Sequence, residues 1–276
     1  MTPGARPSLF VSDIDGTLVT PDKQLTPAAR QAVAAIAAAG VPFTVVSSRP
    51  PRGMASVIAD LGVTLPAAAF NGATIFEPGG DVLIAHRLDP SVARATLAAI
   101  ARRDASAWVF ADNAWFIVDP HGPKIDRERH TVGFDAVVLT AFEAVIGRAD
   151  KIVAVSDDHA RLDAVEADLR ATGLAANVER SQPYYLDITH PLANKGEAVR
   201  ELARLAGADL ARTVVIGDMT NDVAMFRVAG FSIAMGQGPD AVRAAATVVT
   251  GPNTADGFAE AVTRFVLPRL APAGLV

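Results

Sequence analysis

The chain has no cysteine, and that absence removes disulfide bridges, thiolate zinc sites and a cysteine nucleophile together. Aromatic residues are scarce, at 6% of 276 positions, which argues against the base-stacking platforms of single-strand binders. Basic residues are not in excess either. The 25 Lys and Arg stand against 30 Asp and Glu, for a net charge of -5, so no nucleic-acid partner is expected. No run approaches the roughly 20 unbroken apolar residues that span a bilayer, although 50% of the residues are hydrophobic. Much of that hydrophobicity is alanine, as in "QAVAAIAAAG", where polar residues interrupt the run. The opening "MTPGARPSLF" lacks the apolar core of a secretory signal, so a soluble cytoplasmic protein without a membrane partner is expected. The histidines, His86, His121, His130, His159 and His190, fall at no metal-ligand spacing and read as surface or structural groups.

What the chain does have is an alternation of short apolar runs with helical ones. "LFVSD" reads as a buried strand, and "TPAARQAVAAIAAAG" as a helix with Thr26 at its N-cap, Pro27 in its first turn and Gly40 past its end. "VPFTVVSS" is the next strand, and "PRGMASVIADLG" a helix closed by Gly62. The rhythm returns near the C-terminus in "TVVIGD", "NDVAMFRVAG", "FSIAM", "PDAVRAAA", "TVVT" and "ADGFAEAVTRFVL". Alternation at this pace implies an α/β fold, a doubly wound parallel-sheet (Rossmann-like) core with right-handed crossovers. Between the two halves the texture changes. "ATIFEPGGDVLIAHRL" and "AWVFADNAWFIVD" read as hairpins, turning at Pro78-Gly79-Gly80 and at Asp112-Asn113. "KIVAVSDDHARLDAVEADLRATG" reads as a strand and then a helix. The spacing predicts an inserted α+β module over residues 82–190, dividing the core into residues 1–81 and 191–276.

In open parallel sheets, ligands bind outside the carboxyl ends of the strands. The first strand ends in Asp13 and Asp15, and the second in Ser47 and Ser48 followed by Arg49. "GDMTND" adds Asp218, Asn221 and Asp222, and Lys195 of "ANKGEAV" opens the helix where the chain returns from the insert. Singly, each has an ordinary reading: a turn former before Gly16, a cap, or a cation at the wrong end of a helix dipole. Together they suit phosphate chemistry. Asp13, Asp15 and Asp218 would repel one another unless a hard dication such as Mg²⁺ neutralised them. Lys195, the two serine hydroxyls and Asn221 would then supply charge and donors to a phosphate.

Taken in order, "DIDGT", the serine strand end, "NKG" and "GDMTND" resemble the four motifs of the haloacid dehalogenase-like (HAD) superfamily. The insert between the second and third motifs is similar to that of the subclass with a large α/β cap. "NGATIF" and "SIAMGQGPDAV" resemble its Cof-type branch. One departure is Ser47-Ser48-Arg49, where that branch usually carries Thr-Gly-Arg. The resemblance implies that Asp13 is a nucleophile forming an aspartyl-phosphate, and that Asp15 acts first as general acid and then as base. It implies Mg²⁺ held by the Asp13 carboxylate, the Asp15 carbonyl and the Asp218 carboxylate. Ser47, Lys195 and Asn221, with Ser48 beside them, would hold the phosphoryl oxygens, and Asp222 would orient Lys195 or metal-bound water. For its acid role, Asp15 is expected to have a raised pKa, crowded by a neighbouring carboxylate in a closed site. The implied activity is hydrolysis of small phosphorylated metabolites, sugar phosphates or similar monoesters. A phosphosugar mutase and a non-catalytic phosphoryl-accepting module remain as alternatives. Within the insert, "PKIDRERH" is expected to be a solvated loop, and Trp108, Trp115, Tyr184 and Tyr185 are expected to be packing residues.

Overall fold

A computed structural model describes residues 6–270. Residues 1–5 and 271–276, the ends of the expected core, lie outside the described residues, as does the first half of the stretch read for a secretory signal. The core is a five-stranded, all-parallel sheet in the order Val248–Val249, Phe231–Ala234, Thr213–Gly217, Leu9–Ser12, Phe43–Val45. Its strands read as continuous apolar runs because both faces are covered. Phe10 packs on one face with Phe43 and Phe258, at ring separations of 5.7 and 6.0 Å, beside the helix Pro27–Ala38. Leu9 and Val11 point to the other face, against Val199 and Leu202 of the helix Lys195–Leu205. The strand order reverses at Leu9–Ser12, whose two neighbours come from opposite ends of the chain. A crevice therefore opens at the carboxyl ends of that strand and of Thr213–Gly217.

The helix punctuation follows the local chemistry. Thr26 Oγ1 accepts a hydrogen bond from the Ala29 N–H at 3.1 Å, and Gly40 takes the left-handed conformation past the end of the helix, at φ +71°.

The hairpin at Pro78-Gly79-Gly80 pairs Thr74–Phe76 with Val82–Ala85, and Ala67–Ala69 completes a three-stranded antiparallel sheet. The expected first residue of the insert, 82, thus falls inside a hairpin formed with the preceding chain. A separate six-stranded sheet runs Asn177–Gln182, Tyr185–Thr189, Ala149–Val155, Ser106–Ala111, Ala114–Ile117, Val137–Val138. Its hairpin at Asp112-Asn113 has both residues at positive φ, 49° and 61°, as a two-residue type I′ turn requires. The helices Pro90–Arg102 and His159–Ala171 cover one face of this sheet, over Val109, Ile152 and Leu186. The other face turns to the core. There Trp108 and Trp115 meet edge to face at 5.1 Å, both buried, and Phe110 lies 5.7 Å from Phe70. The chain crosses between the layers near His86 and His190, whose rings stack at 5.1 Å.

One expectation fails here. "PKIDRERH" is largely helical, within Ile125–Val132, not a solvated loop. Ile125, Glu128 and Val132 share one buried stripe, spaced three and four residues apart, while the other residues between them face outward or are only half-covered. Among the described residues no helix is long and apolar enough to cross a membrane.

Candidate active site

Asp13 follows the central strand directly and is buried at its carboxyl end. Lys195 is the first residue of its helix, placed there by the Asn194 N-cap, whose Oδ1 accepts from the Glu197 N–H at 2.9 Å. Its Nζ donates to Asp13 Oδ1 and to Asp222 Oδ1, each at 2.6 Å, and the side chain is only 2% exposed. These two carboxylates explain a cation at the unfavourable end of a helix dipole. Asp222 Oδ2 accepts from the backbone N–H groups of Asp218 and Met219 at 2.8 Å each, so both of its oxygens are committed. Asp218 is different. Its Oδ2 accepts from Gln237 Nε2 at 3.3 Å, while its Oδ1 is buried without a hydrogen-bond partner among the described residues. A side chain on Gly16, which sits at φ +82°, would collide with the Asp218 carboxylate.

Oxygens of Asp13, Asp218 and Asp222 lie within 4.8 Å of one another, against the single ammonium of Lys195. The electrostatics record the imbalance. Burial pushes Asp13 up to about 7, with Lys195 pulling it down and the Asp222 charge pushing it further up. Burial, aided by Asp13 and Asp222, pushes Asp218 up to about 8. Burial alone would push Lys195 down, but Asp13 and Asp222 more than offset it and hold the ammonium above its ordinary range. An oxygen-only donor set, two charges short of neutrality and with an orphaned buried oxygen on Asp218, fits a hard divalent cation such as Mg²⁺.

The remaining residues surround this cluster from the neighbouring strand ends. Ser47 is fully buried. Its Oγ accepts from the Arg49 N–H at 3.2 Å, and its carbonyl accepts from the Asn71 N–H at 2.9 Å. Asn221 Nδ2 donates to Asn71 Oδ1 at 3.0 Å, joining the turn Thr220–Asp222 to the chain after Ala67–Ala69. Asn71 holds a left-handed backbone, φ +57°, inside "NGATIF". Ser48 is half-buried, and its carbonyl accepts from Lys151 Nζ at 3.0 Å.

Asp15 departs from expectation. Arg49 grips it as a fork, Nε to Oδ2 at 2.6 Å and Nη2 to Oδ1 at 2.8 Å, and Lys23 Nζ adds a contact at 2.6 Å. Burial pushes the Asp15 carboxyl up, but the Arg49 guanidinium and then Lys23 outweigh it and hold it well below the usual carboxylate range. The expected rise does not occur, because two cations remote in sequence count for more than the neighbouring Asp13. Asp13 and Asp15 are therefore divided between different cations.

Among the residues facing this site, sequence did not single out Lys151 and Glu128, and it expected Tyr185 only to pack. Lys151, Glu128 and Tyr185 descend from the six-stranded sheet and its helix to line a small cleft of about 40 Å³ with Asp15 and Arg49. Lys151 is buried and also reaches Asp187 Oδ2 at 3.3 Å. The available signal was a lysine in "ADKIVAV" and an aspartate in "YLDIT", charges inside strands that are otherwise mostly apolar.

Comparison with known proteins adds to this geometry. The haloacid dehalogenase-like hydrolase family matches residues 10–262. The HMP-PP phosphatase of Cronobacter sakazakii is 29% identical over 224 residues, 81% of this chain and 82% of that protein. The phosphoglycolate phosphatase of Natronomonas pharaonis is 30% identical over 256 residues, 91% of this chain and 95% of that one. The crystal structure of a haloacid dehalogenase-like hydrolase from Bacteroides thetaiotaomicron is similar with a TM-score of 0.83 at 25% identity, covering 94% of this chain and 99% of that one. The chain belongs to the haloacid dehalogenase-like hydrolase family.

Proposed function

We propose that this chain is a Mg²⁺-dependent phosphatase of small organic phosphate monoesters, working through an aspartyl-phosphate on Asp13. The observation that carries this reading is the buried, charge-deficient cluster of Asp13, Asp218 and Asp222 around Lys195 at the strand ends. Relatives named as phosphatases support the same class of reaction. Asp13 and Asp218, with the Asp15 carbonyl, would hold Mg²⁺, which when bound supplies Lewis-acid charge against the phosphoryl oxygens. Lys195, Ser47 and Asn221 would hold those oxygens, with Ser48 beside them. Asp222, fixed by two backbone donors, keeps Lys195 aimed at Asp13.

In the first displacement an Asp13 oxygen forms a bond to phosphorus, and the bond to the leaving oxygen breaks. In the second, water attacks the same phosphorus, free phosphate leaves, and the Asp13 carboxylate is restored. Asp15, ionised in the grip of Arg49, suits the second step, where it takes the proton of the attacking water. To protonate the leaving oxygen in the first step it must loosen from that guanidinium and take up a proton. The layer built on the six-stranded sheet would act as a cap that keeps bulk water out.

The test is phosphate release from sugar phosphates and p-nitrophenyl phosphate, with Mg²⁺ or EDTA, and with Asp13→Asn alongside. Metal-dependent release that falls to background in the variant is expected. Isomerised phosphosugar in place of free phosphate, or undiminished release by the variant, would overturn the reading.

A further inference from the structure

The three carboxylates of the acidic cluster are held in different ways. Asp13 Oδ1 takes the Lys195 ammonium, and Asp222 takes the same ammonium and two backbone N–H groups. The Asp218 side chain has one hydrogen-bond donor among the described residues, the Gln237 amide, which meets only Oδ2. Gln237 stands in "SIAMGQGPDAV", on the loop after the strand Phe231–Ala234. The glycines on either side of it let that loop come in close. A Cβ on Gly238 would lie 2.6 Å from the Asp218 carbonyl oxygen, and one on Gly236 would lie 2.7 Å from that of Thr250. The loop is therefore wedged between the turn that carries Asp218 and the chain that follows Val248–Val249.

The direction of the Gln237 amide is fixed by its three contacts. Its Oε1 accepts from the Asn253 N–H at 3.1 Å, and its Nε2 donates to the Gly16 carbonyl at 2.6 Å and to Asp218 Oδ2 at 3.3 Å. Turned over, the amide would set donor against donor at Asn253 and oxygen against oxygen at the other two, so only one orientation satisfies all three. Asn253 is tied down in turn, its Nδ2 donating to the Val19 carbonyl at 2.9 Å. Gln237 joins the two loops that would carry metal ligands. Gly16 follows Asp15 directly, and Asp218 follows Thr213–Gly217, the strand paired with Leu9–Ser12. With Oδ2 engaged, the buried Oδ1 is the oxygen left for a cation. Gln237 itself is exposed, so it braces the site from outside and contributes little to the core.

We propose that Gln237 is a positioning residue for the metal, bracing Asp218 against Gly16 so that the site prefers Mg²⁺ to the larger Ca²⁺. The assignment rests on the Mg²⁺-dependent reading above and deepens it. Mg²⁺ demands near-ideal octahedral geometry, whereas Ca²⁺ accepts varied numbers and directions of oxygen ligands. Held at Oδ2, the Asp218 carboxylate does not rotate to offer both oxygens to a larger ion. Freed from the amide, it adapts to either ion, and the advantage of Mg²⁺ shrinks. Partners that orient a metal-bound side chain are worth about 10–100-fold in affinity.

The test is titration calorimetry of Mg²⁺ and of Ca²⁺ into metal-stripped protein, wild type and Gln237→Met, a variant of similar length without the amide. Mg²⁺ affinity should fall about tenfold or more in the variant and Ca²⁺ affinity by less than about threefold, so the ratio of the two drops. Metal-free Tm should stay within about 2 °C, as for an exposed substitution. At saturating Mg²⁺, kcat for p-nitrophenyl phosphate should return close to the wild-type value. Gln237→Ala repeats the comparison with a smaller side chain. An unchanged ratio of affinities would overturn the assignment, and so would a wild type that binds Ca²⁺ as tightly as Mg²⁺. Equal loss of both affinities together with metal-free Tm would mark a merely structural role and overturn it too. The two levels separate on the wild type. If it binds no Mg²⁺, or releases phosphate equally well in EDTA, the Mg²⁺-dependent phosphatase reading itself is removed. If it binds Mg²⁺ and the variants keep its preference, only the role of Gln237 is removed.

Discussion

At the scale of the residue, the site is an arrangement of charges that do not balance without help. Lys195 is the single ammonium among Asp13, Asp218 and Asp222. Replacing it as Lys195→Met should lower kcat by about 10²–10³-fold, the loss typical of removing one preorganised charge-stabilising group. A loss in KM alone would contradict its place beside the reacting oxygens. Gly16→Ala should fold but bind Mg²⁺ more weakly, because the added carbon pushes the Asp218 carboxylate aside. Titration calorimetry reads that directly, and unchanged affinity would remove Asp218 from the metal site. Most of these residues were legible in sequence, since "DIDGT", "NKG" and "GDMTND" place them at strand ends and a helix start. The state of Asp15 was not. Its partners Arg49 and Lys23 meet it only after folding, and the neighbour visible in the sequence, Asp13, contributes less than either.

At the scale of the element, the two layers are joined by aromatic packing next to the cleft. Phe110 lies against Phe70 and beneath Lys151, whose Nζ is 5.0 Å from its ring centre. Phe110→Ala should destabilise the protein by about 3–5 kcal/mol, the usual cost of emptying a buried aromatic position. Urea denaturation measures this, and a cost below about 1 kcal/mol would mean that the contact is slack. The hairpin at Asp112-Asn113 and the strand of "KIVAV" were readable because an apolar run and a tight turn are local signals. The strands Asn177–Gln182 and Tyr185–Thr189, with charges at Glu179, Arg180 and Asp187, were not read as strands. The helix Ile125–Val132 was hidden, because five charged or histidine side chains in eight positions mask a stripe of three buried residues. Glu128 is one of the three, so the misreading of the helix also concealed a residue of the cleft.

At the scale of the whole molecule, the buried carboxylates tie stability to pH and to metal. Asp13 and Asp218 are raised from 3.8 to about 7 and about 8. In the metal-free protein, the stability they contribute is fully present below about pH 4 and is lost as pH rises through 7–8. Asp15, depressed by Arg49 and Lys23, acts on the other side, its contribution present above about pH 4 and lost in stronger acid. Melting in EDTA should therefore weaken between pH 5 and pH 8.5, and Mg²⁺ should raise Tm more at pH 8 than at pH 5.5, because it binds the ionised carboxylates. An equal shift at both pH values would contradict this. The most direct test of the chemistry is a rapid acid quench of the Mg²⁺-loaded protein mixed with radiolabelled ester, followed by peptide mapping. Covalent catalysis requires phosphoryl label on the peptide containing Asp13, lost on treatment with hydroxylamine and absent from Asp13→Asn. Steady release of phosphate with no label on that peptide at any quench time would contradict it.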